Sequence, residues 1–465
     1  MKFTNKKFII HFIGIGGIGM SGIAELMHNL GYKVQGSDIG INENIKRLKN
    51  KGIKVYLGHN EKNLKNTTSA VYSSAIKKNN IEIVTCKNKS IPLVSRAEML
   101  AELMKNKKSI AVAGSHGKTT TTSLVGSIFD RAKLDPTIIN GGIINSYSTN
   151  NKFGKGDWLI AEADESDGSF LKLPHLISII TNLDIEHMDY YKTEKNLINA
   201  FKNFIFNLPL NGISILCIDN KYLKKISKEI KSRNIFTYSI KDKNADAYVS
   251  KISNDKNCTY FKLKLNKNIN GNKKLYEFKI NLLGNHNVLN CVASIIASFF
   301  VGIKIDIIKK SFSNYKGVKR RFTFLGKINN AKIIDDYAHH PTEIKAVINS
   351  ARDVYKNRKI VCVFQPHRYS RVNALKNEFA SSFREIDTVV LCPVYSAGEK
   401  IKYKFNQTSF SRLISKKSSI QVVNIKNQKE LKIYFEKNLI ADEMIICMGA
   451  GSISNWIKEI GNKLK

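Results

Sequence analysis

What limits this chain most is a junction that occurs twice: an apolar run enters a glycine-rich turn and leaves it as a helical pattern. In FIIHFIGIGGIGMSGIAELMHNLGYKVQGSD (residues 8–38) the run, the turn, the helical spacing and a second run ending at Asp38 make a βαβ unit in sequence form. Gly14, Gly16 and Gly19 stand as G-x-G-x-x-G, with Gly17 between them. Glycines so spaced let backbone amides and a helix N-terminus approach a pyrophosphate. A diphosphate is expected there, and the pattern alone leaves open whether it belongs to NAD or to a nucleotide sugar.

At the second junction IAVAG enters Gly114-Ser115-His116-Gly117-Lys118-Thr119-Thr120, which reads as a phosphate loop. Lys118 would bridge the outer phosphates, the Thr119 hydroxyl would ligate Mg²⁺ and the loop amides would cradle oxygens. The common pattern has a further glycine at 112, where Val112 stands. The strand before the loop and the helical pattern after it are the context an ATP site requires.

A chain of 465 residues is too long for one ordinary core, and three domains are expected. The alternation continues through strands near 158–163 and 176–181. Between about 245 and 283 it changes to runs such as YFKLKL and YEFKINL, an antiparallel addition, before a helix at 287–301. KIIDDYAHHP, KIVCVFQPHR, TVVLCPV and EMIICMGAGS then deliver polar residues at four strand ends, where open α/β sheets bind ligands. The expected fold is α/β in three domains. They are an N-terminal Rossmann-like domain (1–105), a central P-loop ATPase-type domain with a mostly parallel sheet plus the antiparallel addition (106–322), and a C-terminal Rossmann-like domain (323–465).

Seven scattered cysteines, none in a CxxC pair, argue against a disulfide framework or a thiolate metal site and fit a reducing compartment. The start has the basic-then-apolar order of a secretion signal, but glycines and His11 interrupt it and no small-residue cleavage site follows, so it reads as a first strand. The longest apolar stretch, 291–303, is well short of the ~20 residues of a membrane span, so no membrane insertion is expected. The net charge of +37 suggests a nucleic-acid partner, yet the lysines are spread along the chain with Asn and Ile, which reads as solvated surface and no nucleic-acid role.

Two segments at strand ends offer metal-binding groups: AEADESDGSF with Glu162, Asp164, Glu165 and Asp167, and TNLDIEHMD with His187 among Asp184, Glu186 and Asp189. Phosphorylated substrates bring Mg²⁺ held by one or two carboxylates. Most of these acids should be bland, because helix N-termini attract them without a metal. His187 taken alone reads as a core histidine.

HFIGIGGIGMSGIAE, GSHGKTTTT, EADESDGSF, TNLDIEHMDYY, GNHNVLN, GVKRRF, DDYAHHPTEI, FQPHRYSR and MGAGS follow one another over nearly the full chain. In content and order they resemble the Mur ligase family. The resemblance implies a UDP-sugar domain, a central ATPase and a C-terminal domain that closes over the site and admits the amino acid. It makes the short phosphate loop the family's own form. It implies that Lys118 contacts the phosphates, that Thr119 and Glu162 hold one Mg²⁺ and that His187 ligates a second. Gly14, Gly16, Gly17, Gly19 and Asp38 would serve the UDP sugar. Asn290, Arg321 and Asp336 match positions that face the nucleotide. His339, His340, Arg368 and Arg371 would orient the incoming carboxylate or the transferring phosphoryl group, as arginine's planar fork suits. Lys202, at the spacing of a lysine that relatives carbamylate, reads as an ordinary helix lysine.

The implied activity joins L-alanine to the carboxylate of UDP-N-acetylmuramate in the cytoplasm, in a monomer or weak homo-oligomer. A carboxylate does not react with an amine at neutral pH, so ATP must first convert it to an acyl phosphate, and His340 is the candidate base for the amine. An NAD-dependent oxidoreductase would leave the second phosphate loop unused, and a non-catalytic nucleic-acid-binding protein is favoured by charge alone. A sister ligase that attaches a recycled tripeptide to the same sugar is the closer competitor, and the first glycine loop favours alanine.

Overall fold

A computed structural model of the chain describes residues 8–73, 75–255, 258–272, 274–399 and 405–463. The first seven residues, part of the stretch read as a first strand, lie outside these, and that strand begins at Ile9.

Five short apolar runs form the first sheet: β1 (Ile9–Ile13), β2 (Lys33–Asp38), β3 (Lys54–Leu57), β4 (Ser69–Tyr72) and β5 (Leu93–Ser95). Helices α1 (Ile18–Asn29), α2 (Glu43–Asn50), α3 (Ile81–Asn88) and α4 (Arg96–Met104) alternate with them. The order is β3-β2-β1-β4-β5, with all four pairs parallel, so the strand order reverses between β1 and β4. A crevice at such a reversal is where open sheets bind ligands.

The second sheet has ten strands: β6 (Lys108–Ala113), β7 (Thr137–Ile144), β8 (Thr149–Lys152), β9 (Trp158–Glu162), β10 (Ile177–Ile180), β11 (Ile213–Cys217), β12 (Ile235–Ser239), β13 (Ala247–Asn254), β14 (Thr259–Leu265) and β15 (Leu275–Ile280). With them come α5 (Lys118–Arg131), α6 (Met188–Tyr191), α7 (Glu194–Phe206), α8 (Lys221–Glu229), α9 (Asn285–Phe300) and α10 (Ile305–Ser313). Their order is β15-β14-β13-β12-β11-β10-β6-β9-β7-β8. The middle strands pair in parallel and β8 lies antiparallel on β7, a hairpin the sequence pattern did not single out. β10, ISII, is buried along its whole length, as a central parallel strand covered on both faces must be.

The third sheet runs β16 (Thr323–Ile328), β17 (Ala331–Asp336), β21 (Met444–Met448), β18 (Ile360–Phe364), β19 (Thr388–Leu391) and β20 (Gln421–Asn424). Its helices are α11 (Pro341–Val354), α12 (Tyr369–Ala374), α13 (Lys376–Ala380), α14 (Gln407–Ser418), α15 (Gln428–Asn438) and α16 (Ile453–Lys463). Strand alternation divides its two cores. Ile360, Cys362 and Phe364 of β18 pack with α11, α13 and α14 residues, whereas Val361 and Val363 pack with those of α15 and α16. Burying each large apolar side chain contributes roughly 1.5–3 kcal/mol. The edge strand β16 is antiparallel to β17.

The chain divides into two compact units. One holds residues 1–251, 262–278 and 289–316, and the other 252–261, 279–288 and 317–465. All seven cysteines are unpaired, six of them buried. Among the described residues no helix is long and apolar enough to cross a membrane.

Candidate functional site

In the first unit β1 delivers Gly14, whose φ of 82° suits glycine, and the amides of Gly14 and Ile15 donate to Ser37 O. Gly16 N donates to Asp38 Oδ2 at 2.8 Å, while Asn42 and Asn44 donate to Gly16 O at 3.1 and 3.0 Å. Asp38 therefore fastens the glycine turn. A side chain on Gly16 would meet Ile45 and the Asp38 carboxylate within 2.9 Å. Helix α1 then begins after Gly17 with no side-chain cap and no acid in its first turn. Its leading N–H groups and dipole suit an anion. The turn after β4 closes on the same place, with Ile76 3.3 Å from where a Gly14 Cβ would stand. Sequence reasoning missed that turn, whose only signal is its position at the strand reversal.

The phosphate loop follows β6, with Gly114 and Gly117 at φ 126° and 84°. It is zipped to residues 181–184. Ser115 N and His116 N donate to Asn182 O and Oδ1 at 3.3 and 2.8 Å, Asp184 N donates to Ser115 Oγ at 2.9 Å, and His116 Nε2 lies 3.0 Å from Asp184 Oδ2. The amides of Ser115 and His116 hold the loop's shape, and the first turn of α5, from Gly117 through Thr120 and without a side-chain cap, presents the donors. Asn290 lies against this turn, its Oδ1 2.6 Å from where a Gly117 Cβ would stand.

Lys118 folds back over the loop. Its Nζ donates to Gly114 O at 2.6 Å and to both oxygens of Glu165 at 3.0 and 2.8 Å. Burial, only partly offset by Lys118, raises the Glu165 carboxyl to a pKa of about 7. Thr119 Oγ1 donates to Glu162 Oε2 at 3.0 Å. That separation fits two adjacent ligands of an octahedral Mg²⁺, which at about 2.1 Å bonds stand about 3 Å apart. His187, at a left-handed φ of 57°, has Nε2 3.8 Å from Glu165 and 3.9 Å from Glu186, and the three offer ligand atoms within 4.8 Å of one another. Lys202 instead pairs with Glu229 at 2.6 Å.

In the second unit the ends of β17 and β18 bring cations together. The Arg320 and Arg321 guanidiniums lie 4.8 and 5.5 Å from the Tyr337 ring, and Arg321 is 3.6 Å from Glu343. The His339 ring stands edge-on to Tyr337 and His367, and Arg371 Nη1 is 3.3 Å from His367 Nδ1. Arg368 holds a φ of 66° at the start of α12, a strained position for a side-chain-bearing residue. Burial, then the charges of His339, Arg371, Arg368 and Arg320, push His367 down to about 3, so a neutral imidazole sits among arginines. Such a cluster suits a carboxylate or phosphoryl group.

Two of the expected site residues also hold local structure. Asp336 accepts from Phe322 N and Ala338 N, both at 2.8 Å, so its carboxylate fastens backbone. Burial raises it to about 6 although Arg321 opposes. His340 caps α11, its Nδ1 accepting from Thr342 N at 3.4 Å. In a neutral imidazole so bound the proton lies on Nε2.

Residues 9–108 match the description "Mur ligase family, catalytic domain", 112–298 "Mur ligase middle domain" and 320–451 "Mur ligase, glutamate ligase domain". The UDP-N-acetylmuramate--L-alanine ligase of Pelagibacter ubique is 45% identical over 455 residues, 98% of each chain. Among solved structures, a UDP-N-acetylmuramate-alanine ligase of Thermotoga maritima superposes with a TM-score of 0.82 at 26% identity over 98% of each chain. A murein peptide ligase of Psychrobacter arcticus does so at 0.73 and 21% over 98% of each, a likeness of fold alone.

Proposed function

The chain belongs to the Mur ligase family, and on that premise we propose that it joins L-alanine to the carboxylate of UDP-N-acetylmuramate, converting ATP to ADP and phosphate, in cytoplasmic synthesis of peptidoglycan precursors. The observation that carries the chemistry is Lys118 beside the Thr119–Glu162 oxygen pair under the uncapped start of α5. Alanine as the amino acid is supported by the full-length identity to an alanine-adding relative.

We read residues 1–105 as the UDP-sugar domain, 106–322 as the ATP-binding domain and 323–465 as the amino-acid domain. Thr119 and Glu162 would hold one Mg²⁺, and His187 with Glu165 and Glu186 would suit a second. Mg²⁺ bound there would supply neutralisation of phosphate charge. Lys118 exchanges Glu165 for the outer phosphates of ATP, and the amides of Gly117 to Thr120 steady their oxygens while the sugar carboxylate takes the γ-phosphoryl group. The amine of alanine, having lost its ammonium proton to solvent, attacks the resulting acyl phosphate, and the tetrahedral adduct expels phosphate and gives up the nitrogen's extra proton to solvent to leave the amide. His339, Arg368 and Arg371 orient the alanine carboxylate or the phosphoryl oxygens, His340 donates through Nε2, and Asn290, Arg321 and Asp336 shape the nucleotide's surroundings.

Phosphate release by the purified chain with Mg²⁺, ATP and UDP-N-acetylmuramate tests this, comparing L-alanine, a recycled wall tripeptide and no acceptor. Release requiring L-alanine, with an alanyl product by mass, supports the proposal. Release with the tripeptide alone moves the chain to the recycling ligase, and none with either sinks the assignment.

A further inference from the structure

The pairing that makes β7 a strand breaks off beside the Thr119–Glu162 oxygens. With β9 it stops at Ile139, and with β8 it passes from Ile139 opposite Asn151 to Ile144 opposite Thr149, which leaves residues 140–143 outside the regular ladder. Side chains hold this stretch. Gly141 N donates to Glu162 Oε2 at 2.8 Å, the oxygen that also accepts from Thr119 Oγ1. Across the hairpin, Asn150 Nδ2 reaches Asn140 O at 3.5 Å.

The same Nδ2 donates to Ile18 O, in the first residue of α1, at 2.8 Å. Asn150 Oδ1 accepts from Arg47 Nη2 at 3.3 Å, and Arg47 Nη1 donates to Asn44 Oδ1 at 3.2 Å, while the Asn44 amide holds Gly16 O. Glu25 fixes Arg47 from the side, 3.2 Å from its Nε. Asn150 is 1% exposed, and α1 packs so closely on the hairpin that a Cβ on Gly22 would collide with the Asn151 amide. One carboxamide thus joins the glycine turn of the first sheet to the stretch that steadies Glu162 in the second. A primary amide is the group this position needs, with two N–H donors for two carbonyls and an oxygen for a guanidinium. Aspartate would set an oxygen against both carbonyls, and alanine would leave them without this donor in the interior.

We infer that Asn150 is a positioning residue of the proposed ligation: it sets the glycine turn, and with it the sugar, at a fixed distance from Glu162 and the ATP beside it, so that the sugar carboxylate meets the γ-phosphoryl group in line. The inference rests on the proposed substrates and gives Asn150 no contact with either of them. Its consequence is kinetic. Changing Asn150 leaves the groups that would bind each ligand in place, whereas phosphoryl transfer depends on the separation between the two, and a misplacement of about 1 Å can cost about 100-fold in rate.

Two measurements on the full chain separate placement from binding. One is calorimetric titration with Mg²⁺ and the non-hydrolysable analogue AMP-PNP, then with UDP-N-acetylmuramate. The other is the single-turnover rate of phosphate release with ATP, Mg²⁺, UDP-N-acetylmuramate and L-alanine all saturating. N150A binds both ligands within about threefold of the parent and releases phosphate on the order of tenfold or more slowly, the pattern of an interaction that counts only in the transition state. N150D keeps the side chain's volume and its Arg47 partner, which preserves the fold, and it is slowed at least as much because its oxygens repel the two carbonyls. General damage to the fold would instead weaken binding and rate together. A rate within about twofold of the parent in either variant overturns the inference, as does a rate loss matched by an equal loss of affinity for either ligand. An intact protein that releases no phosphate with any acceptor overturns the proposed function, and this inference with it.

Discussion

Thr119 and Glu162 can be tested one atom at a time. Deleting the Thr119 hydroxyl leaves Glu162 Oε2 with the Gly141 amide, 2.8 Å away, and removes the second oxygen for a cation. Thr119→Ala should raise the Mg²⁺ concentration for half-maximal phosphate release by on the order of tenfold, and Thr119→Ser should restore it. An unchanged Mg²⁺ dependence would remove Thr119 from the metal site. The segments of Lys118, Thr119, Glu162 and His187 stood out in the sequence because they carry distinctive residue types at strand ends. The contact of Glu165 with Lys118 did not. A run of four carboxylates looks uniform until folding leaves Glu165 2% exposed and aims it at Lys118. His340 was legible as a polar strand-end residue, but its use as a helix cap depends on backbone geometry that residue type does not reveal.

At the scale of elements, Glu82 of α3 ties the first sheet together. Fully buried, it accepts from Ser37 Oγ of β2 at 2.5 Å and Asn63 Nδ2 at 2.7 Å, and it lies 3.0 Å from His59 Nδ1 and 3.5 Å from His11 Nε2 of β1. Burial alone would raise its pKa, but His11, Ser37 and Asn63 outweigh it and hold the group down to about 2 from an ordinary 4.5. A depressed pKa means the fold favours the carboxylate, so its stabilisation is complete above pH 4.5 and is lost as pH falls toward 2. Urea unfolding of Glu82→Gln against the parent should show a gap that is full at neutral pH and shrinks across that window. A gap constant with pH would contradict the ionic account. Long alternating units were legible because their apolar periods are strong. The hairpin strand β8 and the edge strands β16 and β20 were not, because short strands with polar or partly exposed residues carry little apolar signal.

For the molecule as a whole, two glycine-punctuated junctions pointed to two strands that turn through glycines into helices, and the first two sheets have them. The division of the chain was less legible. The first sheet and most of the second share one compact unit, with Asn150 of β8 donating to Ile18 O of α1 at 2.8 Å and to Asn140 O, while Arg47 reaches Asn150 Oδ1 at 3.3 Å. Such long-range polar contacts have no sequence period. The account's central claim is that ATP activates the sugar's carboxylate before the amine attacks. Turnover with UDP-N-acetylmuramate carrying ¹⁸O in that carboxylate, followed by mass analysis of the released phosphate, tests it most directly. Transfer of one label to phosphate for each amide formed is the predicted result, and phosphate free of label would contradict it.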